Sequence, residues 1–191
     1  MIDVINGRRT FLARTGVVAL SVGASGLFVQ SALAAATMPS TMPASDVGVM
    51  QTALALEHEG IAAYRLAGKS GLLSPGTLKV ALLFMGHHEA HRDSLAKLIT
   101  RAGGKAVEPK TDTQYVAELK LGTLKSEGDV VALATTLERG AASAYIGQVT
   151  ALHDPKLAKL FASISADEAI HWTTLNNAAG TPIPASAYVF G

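Results

Sequence analysis

Glu168 and His171 lie three residues apart in Asp167-Glu168-Ala169-Ile170-His171. On an α-helix that spacing puts a carboxylate and an imidazole on one face, reaching toward the same point. Such a pair can hold a metal ion, form a hydrogen-bonded couple, or do neither. Its neighbours narrow the choice. Leu157, Phe161, Ile164, Glu168, His171, Leu175 and Ala178 recur at steps of three and four, the buried stripe of an amphipathic helix. The pair thus interrupts a core-facing seam.

Three other stripes are interrupted in the same way. Val47, Met50, Leu54, Glu57, Ile61 and Tyr64 form one. Val80 or Ala81, Phe84, His88, His91, Leu95 and Leu98 form the second. Val131, Thr135, Glu138, Ala142, Tyr145 and Val149 form the third. The interruptions fall near the helix midpoints, so helices lying side by side bring them into one layer. An ionised side chain buried without compensation costs several kcal/mol. Three carboxylates together would consume most of the ~5–15 kcal/mol by which a domain is stable. Metal cations, protons or a water-filled hydrogen-bond network must offset them, which leaves a metal layer and a metal-free polar layer as alternatives.

The elements that position these residues are marked by helix punctuation. Ser45-Asp46 can cap a first helix running to about Gly68. Ser74-Pro75 opens a second that ends at Gly103-Gly104. Asp129 opens a third lasting to about Leu152, and Asp154-Pro155 opens a fourth that stops at Gly180, before Pro182. Short loops make the first and second, and the third and fourth, antiparallel hairpins. Residues 103–128 connect the hairpins, with one short helix around Gln114–Leu121, and can cross the length of a bundle. The expected fold is all-α, a four-helix bundle of two hairpins joined by a long crossover.

The hairpin is repeated. Leu56-Glu57 with Ala63-Tyr64 returns as Leu137-Glu138 with Ala144-Tyr145, and His88, His91 and Leu95 return as Glu168, His171 and Leu175. On these residues the chain resembles the ferritin-like superfamily, and more closely bacterial secreted ferritin-like domain proteins with Leu-Glu…Tyr and His…His signatures. The resemblance covers residues 46–180. It implies a di-iron or di-manganese carboxylate site, iron before manganese, with Glu57, Glu138, Glu168, His171 and His91 as ligands. His88 stands where the family has Glu and is retained as a sixth candidate. Three carboxylates against two divalent ions leave a charge of about +1, where four would balance. The function implied is oxidation of Fe(II) or handling of oxygen or peroxide, with no catalytic group beyond the metal ligands and no organic cofactor. The alternative is a non-catalytic exported bundle with a structural polar layer or one stabilising metal. An iron-storage cage has less support, since nothing resembles a fifth ferritin helix or an acidic storage surface.

Other residues have plainer expectations. Glu89, beside Arg92, is a lesser substitute for the missing carboxylate, and His87, one turn before His91, is placed to turn inward as well. His58, Glu59 and Asp167 are off the seams and read as solvated. Tyr64 and Tyr145 read as packed core residues with satisfied hydroxyls, ahead of a redox role or one supporting the layer. Gly60, Gly86 and Gly140 lower helix propensity near the layer and suggest close helix approach or room for a ligand. His153 is expected to face the carbonyls ending the third helix, and Trp172 stands alone.

Composition fits close-packed helices: of 191 residues 49% are hydrophobic but only 5% aromatic. The formal charge of +1 is too balanced to argue for nucleic acid or an anionic membrane. With no Cys, disulfides, thiolate metal sites and Cys nucleophiles are excluded. Arg8-Arg9-Thr10-Phe11-Leu12 precedes an apolar run from Val17 to about Leu33 and a small-residue cleavage site at Ala32-Leu33-Ala34. Twin arginines in this setting resemble a Tat export signal. Residues 1–34 are therefore expected to be a leader, 35–45 a flexible lead-in, 46–180 the bundle and 181–191 a tail. Export implies a periplasmic or secreted protein, with no stable membrane span after cleavage. The apolar Tyr188-Val189-Phe190 tail is suited to docking on the bundle or a neighbouring subunit, as in a homodimer.

Overall fold

The structure is a computed structural model and describes residues 42–191. The expected leader, 1–34, and most of the lead-in lie outside the described residues. Four long helices form the bundle: α1 (Ala44–Lys69), α2 (Pro75–Arg101), α4 (Glu127–Val149) and α5 (Pro155–Ala178). The crossover carries α3 (Asp112–Glu118) and a 3-10 turn (Leu121–Thr123). The fold is all-helical as expected. Among the described residues no helix is long and apolar enough to cross a membrane.

Local chemistry sets the boundaries. Ser74 accepts a hydrogen bond from the Thr77 amide, and Pro75 occupies the first turn of α2. α4 starts two residues earlier than expected because Ser126, not Asp129, is its cap. The Ser126 hydroxyl accepts from the Asp129 amide, and the Asp129 carboxylate accepts from the Ser126 amide at 3.0 Å. α4 also ends earlier than expected, at Val149. Asp154 caps α5.

α1 departs further, beginning after Pro43 with no side-chain cap. Asp46, expected as part of a cap, is fully buried and reaches instead to the α4–α5 turn. There it accepts from the amides of His153 (3.0 Å) and Asp154 (2.9 Å). His153 therefore faces Asp46 through Nδ1 at 2.9 Å, not the carbonyls at the end of α4. A carboxylate offered two orphan amides and an imidazole gains more than one capping its own helix, where only amide donors are available.

α1 and α2 pair as one hairpin, α4 and α5 as the other, and α1 packs on α4. The start of α1 meets the end of α4 through Asp46 and His153, so these two helices run antiparallel. The starts of α2 and α4 share an end, where the Glu127 carboxylate accepts from the Ser74 amide and the Thr77 hydroxyl. The crossover must consequently travel the length of the bundle. It is fastened to α1 by Gln51 with Lys105 and Val107, His58 with the Val107 carbonyl, and a two-pronged Arg65–Asp112 pair at 2.9 and 2.5 Å.

The core has two parts on opposite sides of the midpoint layer. One contains Met50, Leu54, Leu95, Ile99, Tyr145, Leu157, Phe161 and Ile164. Ile99 rather than Leu98 is the buried position of α2 in this half. The other contains Tyr64, Ala81, Phe84 and Leu175, with Val131 and Ala134 against them. This second half lines a partly open cavity of about 270 Å³ between α1, α2, α4 and the crossover. Trp172 is not isolated: Phe190 of the tail packs edge-on against it, with ring centroids 5.3 Å apart. Tyr188 beside it is 98% exposed.

Candidate metal centre

All six residues singled out by the stripes are buried and meet in one layer. Glu57 comes from α1, His88 and His91 from α2, Glu138 from α4, and Glu168 and His171 from α5. His88 spans the layer, with Nδ1 2.8 Å from Glu57 and Nε2 3.3 Å from Glu138. Glu168 spans it the other way. Its Oε1 lies 3.2 Å from His91 Nδ1, and its Oε2 lies 3.1 Å from His171 Nδ1. His171 Nδ1 is also 3.3 Å from Glu138.

These atoms fall into two overlapping groups of four. Glu57, His88, His91 and Glu168 each offer a ligand atom, all within 4.8 Å of one another; so do His88, Glu138, Glu168 and His171. The shared members, His88 and Glu168, are those with donor atoms turned both ways. A cation fits here on a structural observation. His91 Nδ1 and Glu168 Oε1 are buried yet form no aligned hydrogen bond, although they approach to 3.2 Å. Two buried polar atoms converging without an aligned hydrogen bond suit a common third partner, and the N/O donor set suits iron or manganese.

The electrostatics are those of opposed groups held together. Burial pushes the Glu57 carboxyl up, but His88 and His91 outweigh it and hold it below its usual range. Glu138 is likewise held low, burial being overcome by His171 and His88. For the imidazoles the signs reverse. Burial disfavours their protonated forms, yet Glu138 and Glu57 raise His88 well above its ordinary value, and Glu168 and Glu57 bring His91 to about 10. His171 is also raised, against burial, by Glu138 and Glu168.

Four residues around the layer play parts that the stripes did not reveal. The hydroxyls of Tyr64 and Tyr145 are satisfied as expected, but by the layer itself: Tyr64 donates to Glu138 and Tyr145 to Glu57. Both phenols are raised by burial and by the carboxylate each faces. Asp167, though half-exposed, lies 3.2 Å from His91 Nε2, correcting its reading as a purely solvated residue. His87 Nδ1 is 2.8 Å from His171 Nε2. Both outer histidines of the layer therefore have a second nitrogen engaged outside it, the arrangement that fixes ring orientation in metal-bound imidazoles. The His87 contact was signalled by its position one turn before His91. Nothing in the spacing signalled Asp167.

Glu89 belongs to neither group of ligand atoms, and Arg92 pairs with Asp93 at 2.8 Å rather than with it. Gly60 is required by close approach: a Cβ there would stand 3.0 Å from the His88 ring. A Cβ at Gly86 or Gly140 would meet nothing within 4 Å, so neither provides helix contact.

Comparison with known proteins agrees with this architecture. No protein with a curated description matches the chain. Among solved structures it is similar to the crystal structure of a conserved hypothetical protein, rv2844, from Mycobacterium tuberculosis. The TM-score is 0.63 at 24% identity, over 74% of this chain and 96% of that one. That likeness concerns the fold alone. A family model described as the ferritin-like domain matches residues 45–181, the whole bundle with its crossover, and the chain belongs to that family.

Proposed function

We propose that the layer holds two divalent metal ions, iron in preference to manganese, and that the protein oxidises Fe(II) or handles oxygen or peroxide outside the cytoplasm. The observation that carries this reading is the pair of overlapping four-residue groups sharing His88 and Glu168. Glu57 and Glu138 would each serve one metal, Glu168 both, and His91 and His171 would give one nitrogen to each side. The bound metals would supply the redox and Lewis-acid chemistry that these side chains lack. The chain's own contribution is placement. Tyr64 and Tyr145 hold the two outer carboxylates, Asp167 and His87 hold the two imidazoles, and the burial of all six keeps bulk water from competing. His88, with its nitrogens toward opposite carboxylates, takes the central position of the layer.

Export through the Tat pathway, with residues 1–34 as a removed leader, completes the proposal and rests on the Arg8-Arg9 motif. That pathway carries folded proteins, which would let the centre be loaded before export.

A second reading has its own support. Every carboxylate of the layer has an imidazole nitrogen within 3.3 Å, so the six groups can neutralise one another as a structural network without metal. Metal analysis of the protein isolated from the periplasm, followed by oxygen consumption on adding Fe(II), separates the two. About two iron or manganese ions per chain with Fe(II)-dependent oxygen uptake supports the proposal. Protein that stays metal-free when incubated with Fe(II) and Mn(II) supports the network.

A further inference from the structure

The midpoint layer divides the core into unequal halves. Toward the start of α1, the space is filled by Met50, Leu54, Leu95, Tyr145 and Phe161, all fully buried. Toward the α1–α2 loop the facing positions are small: Ala63 and Ala67 on α1, Ala81 on α2, Ala134 and Ala141 on α4. The cavity of about 270 Å³ lies among them, with Leu121 and Leu124 of the crossover as its roof and with Glu138 and His88 at its inner end.

The wall has little to offer a polar guest. Tyr64 gives its hydroxyl to Glu138, Thr77 gives its hydroxyl to Glu127, and both His88 nitrogens face carboxylates. Glu59 is the remaining charged group of the wall, and it is half-buried on the α1 side. Water needs about two to four polar partners to settle in such a space, and apolar cavities of ~150 Å³ stay dry and accept benzene. This cavity is larger, close to the lower end of the ~300–1,000 Å³ occupied by typical small-molecule ligands.

We propose that the hollow half of the bundle binds one small, wholly apolar organic molecule, a monocyclic arene or a short hydrocarbon chain, with its inner end against His88 and Glu138. Binding follows from the shape and lining of the cavity alone. The further role of that molecule as the substrate presented to the layer rests on the metal function proposed above. Glu138 and His88 are then both wall of the cavity and members of the four-residue group containing Glu168 and His171, so an occupant lies beside that group and away from His91.

Toluene is a suitable probe, titrated calorimetrically into the processed full chain with metal content measured on the same samples. The expected result is saturable one-to-one binding, weakened at least tenfold in Ala134→Phe and in Ala67→Phe. These substitutions fill the cavity from opposite walls at positions outside the two four-residue groups. Circular dichroism identifies a variant that fails to fold, and a toluene-soaked crystal gives a reading independent of both. Density for toluene beneath Leu121 and Leu124 supports the proposal. Absence of saturable binding overturns it, as does equal binding by both folded variants. Density for xenon under pressure with none for toluene overturns the organic class and leaves a gas site. Toluene binding in protein that takes up no metal upholds the cavity while removing its substrate role. Metal uptake without toluene binding upholds the centre and removes the cavity's occupant.

Discussion

Tyr64 lies seven residues after Glu57 on α1 and donates its hydroxyl to Glu138 on α4. Tyr145 lies seven residues after Glu138 and returns the same bond to Glu57. Seven residues are two helical turns, and because α1 and α4 are antiparallel, each tyrosine comes back to the other helix's carboxylate. The two hairpins are thus cross-tied through the layer by a duplicated device. Neither carboxylate is positioned by its own helix alone.

Removing either hydroxyl leaves a buried carboxylate short of one donor. Tyr64→Phe and Tyr145→Phe should each cost about 2 kcal/mol, the loss expected for a hydrogen bond to a charged group. The near-symmetry of the two ties implies similar values. Urea denaturation of the metal-free protein provides the measurement, and a cost below about 0.5 kcal/mol for both would show that the ties carry no stability.

His88→Glu distinguishes the two readings of the layer by sign. Without metal it adds a fourth buried carboxylate and removes the imidazole between Glu57 and Glu138, so melting temperature should fall. With Fe(II) or Mn(II) the same change brings two divalent ions nearer to charge balance, and stability and metal content should rise together. A variant that melts early and is not rescued by either ion argues for the metal-free network.

Asp167→Asn should weaken metal binding about tenfold while leaving the fold intact. Its carboxylate is about half exposed, so little packing is lost, but His91 Nε2 loses the charged partner that holds its ring. Competitive metal titration gives the affinity, and far-UV circular dichroism gives the fold. Unchanged affinity would mean that the layer orients His91 without help from Asp167.

Asp46 makes a prediction far from the layer. Burial pushes its carboxyl up, but hydrogen bonds from the His153 and Asp154 amides and from the His153 ring prevail, leaving it below the ordinary 3.8. A group held low when folded stabilises fully above its unfolded value and loses that contribution as pH falls through the folded one. Asp46→Ala should therefore destabilise by about 2 kcal/mol near neutrality. The gap from wild type should narrow below pH 3.8. Denaturation at pH 7 and pH 3 would test this, and a gap that widens in acid would contradict it.

Export should require both arginines of the leader. With Arg8→Lys and Arg9→Lys together, the processed protein should disappear from the periplasmic fraction. Normal amounts there would rule out the Tat route.

Stripe periodicity made the helices and the common layer legible, because it records which side of a helix faces inward. It does not record how far a side chain reaches once there. Glu57 and Glu138 were visible as interruptions, but their tyrosine partners on the opposite helix depend on the antiparallel arrangement of α1 and α4. Asp46 was read locally, as part of a cap, since its partners at 153 and 154 are distant in sequence. Leu98 and Ile99 both fit the spacing after Leu95, and only packing showed that Ile99 is the one buried. Gly60 suggested close helix approach, and the group that approaches, the His88 ring, was visible only in the structure. The aromatic-poor composition looked like tight packing, and the space left among the alanines emerged only with the crossover in place.

The hollow half has a mechanical consequence. Unfolding lets water into voids that the folded chain keeps empty, so the system volume shrinks and hydrostatic pressure favours the unfolded side. With about 270 Å³ concentrated between Ala63, Ala134 and the crossover roof, compression should act there first. Amides of α4 near Val131 and Ala134 would then lose protection at pressures that leave those near Leu54, Leu95 and Phe161 intact, and the bundle would yield from one end.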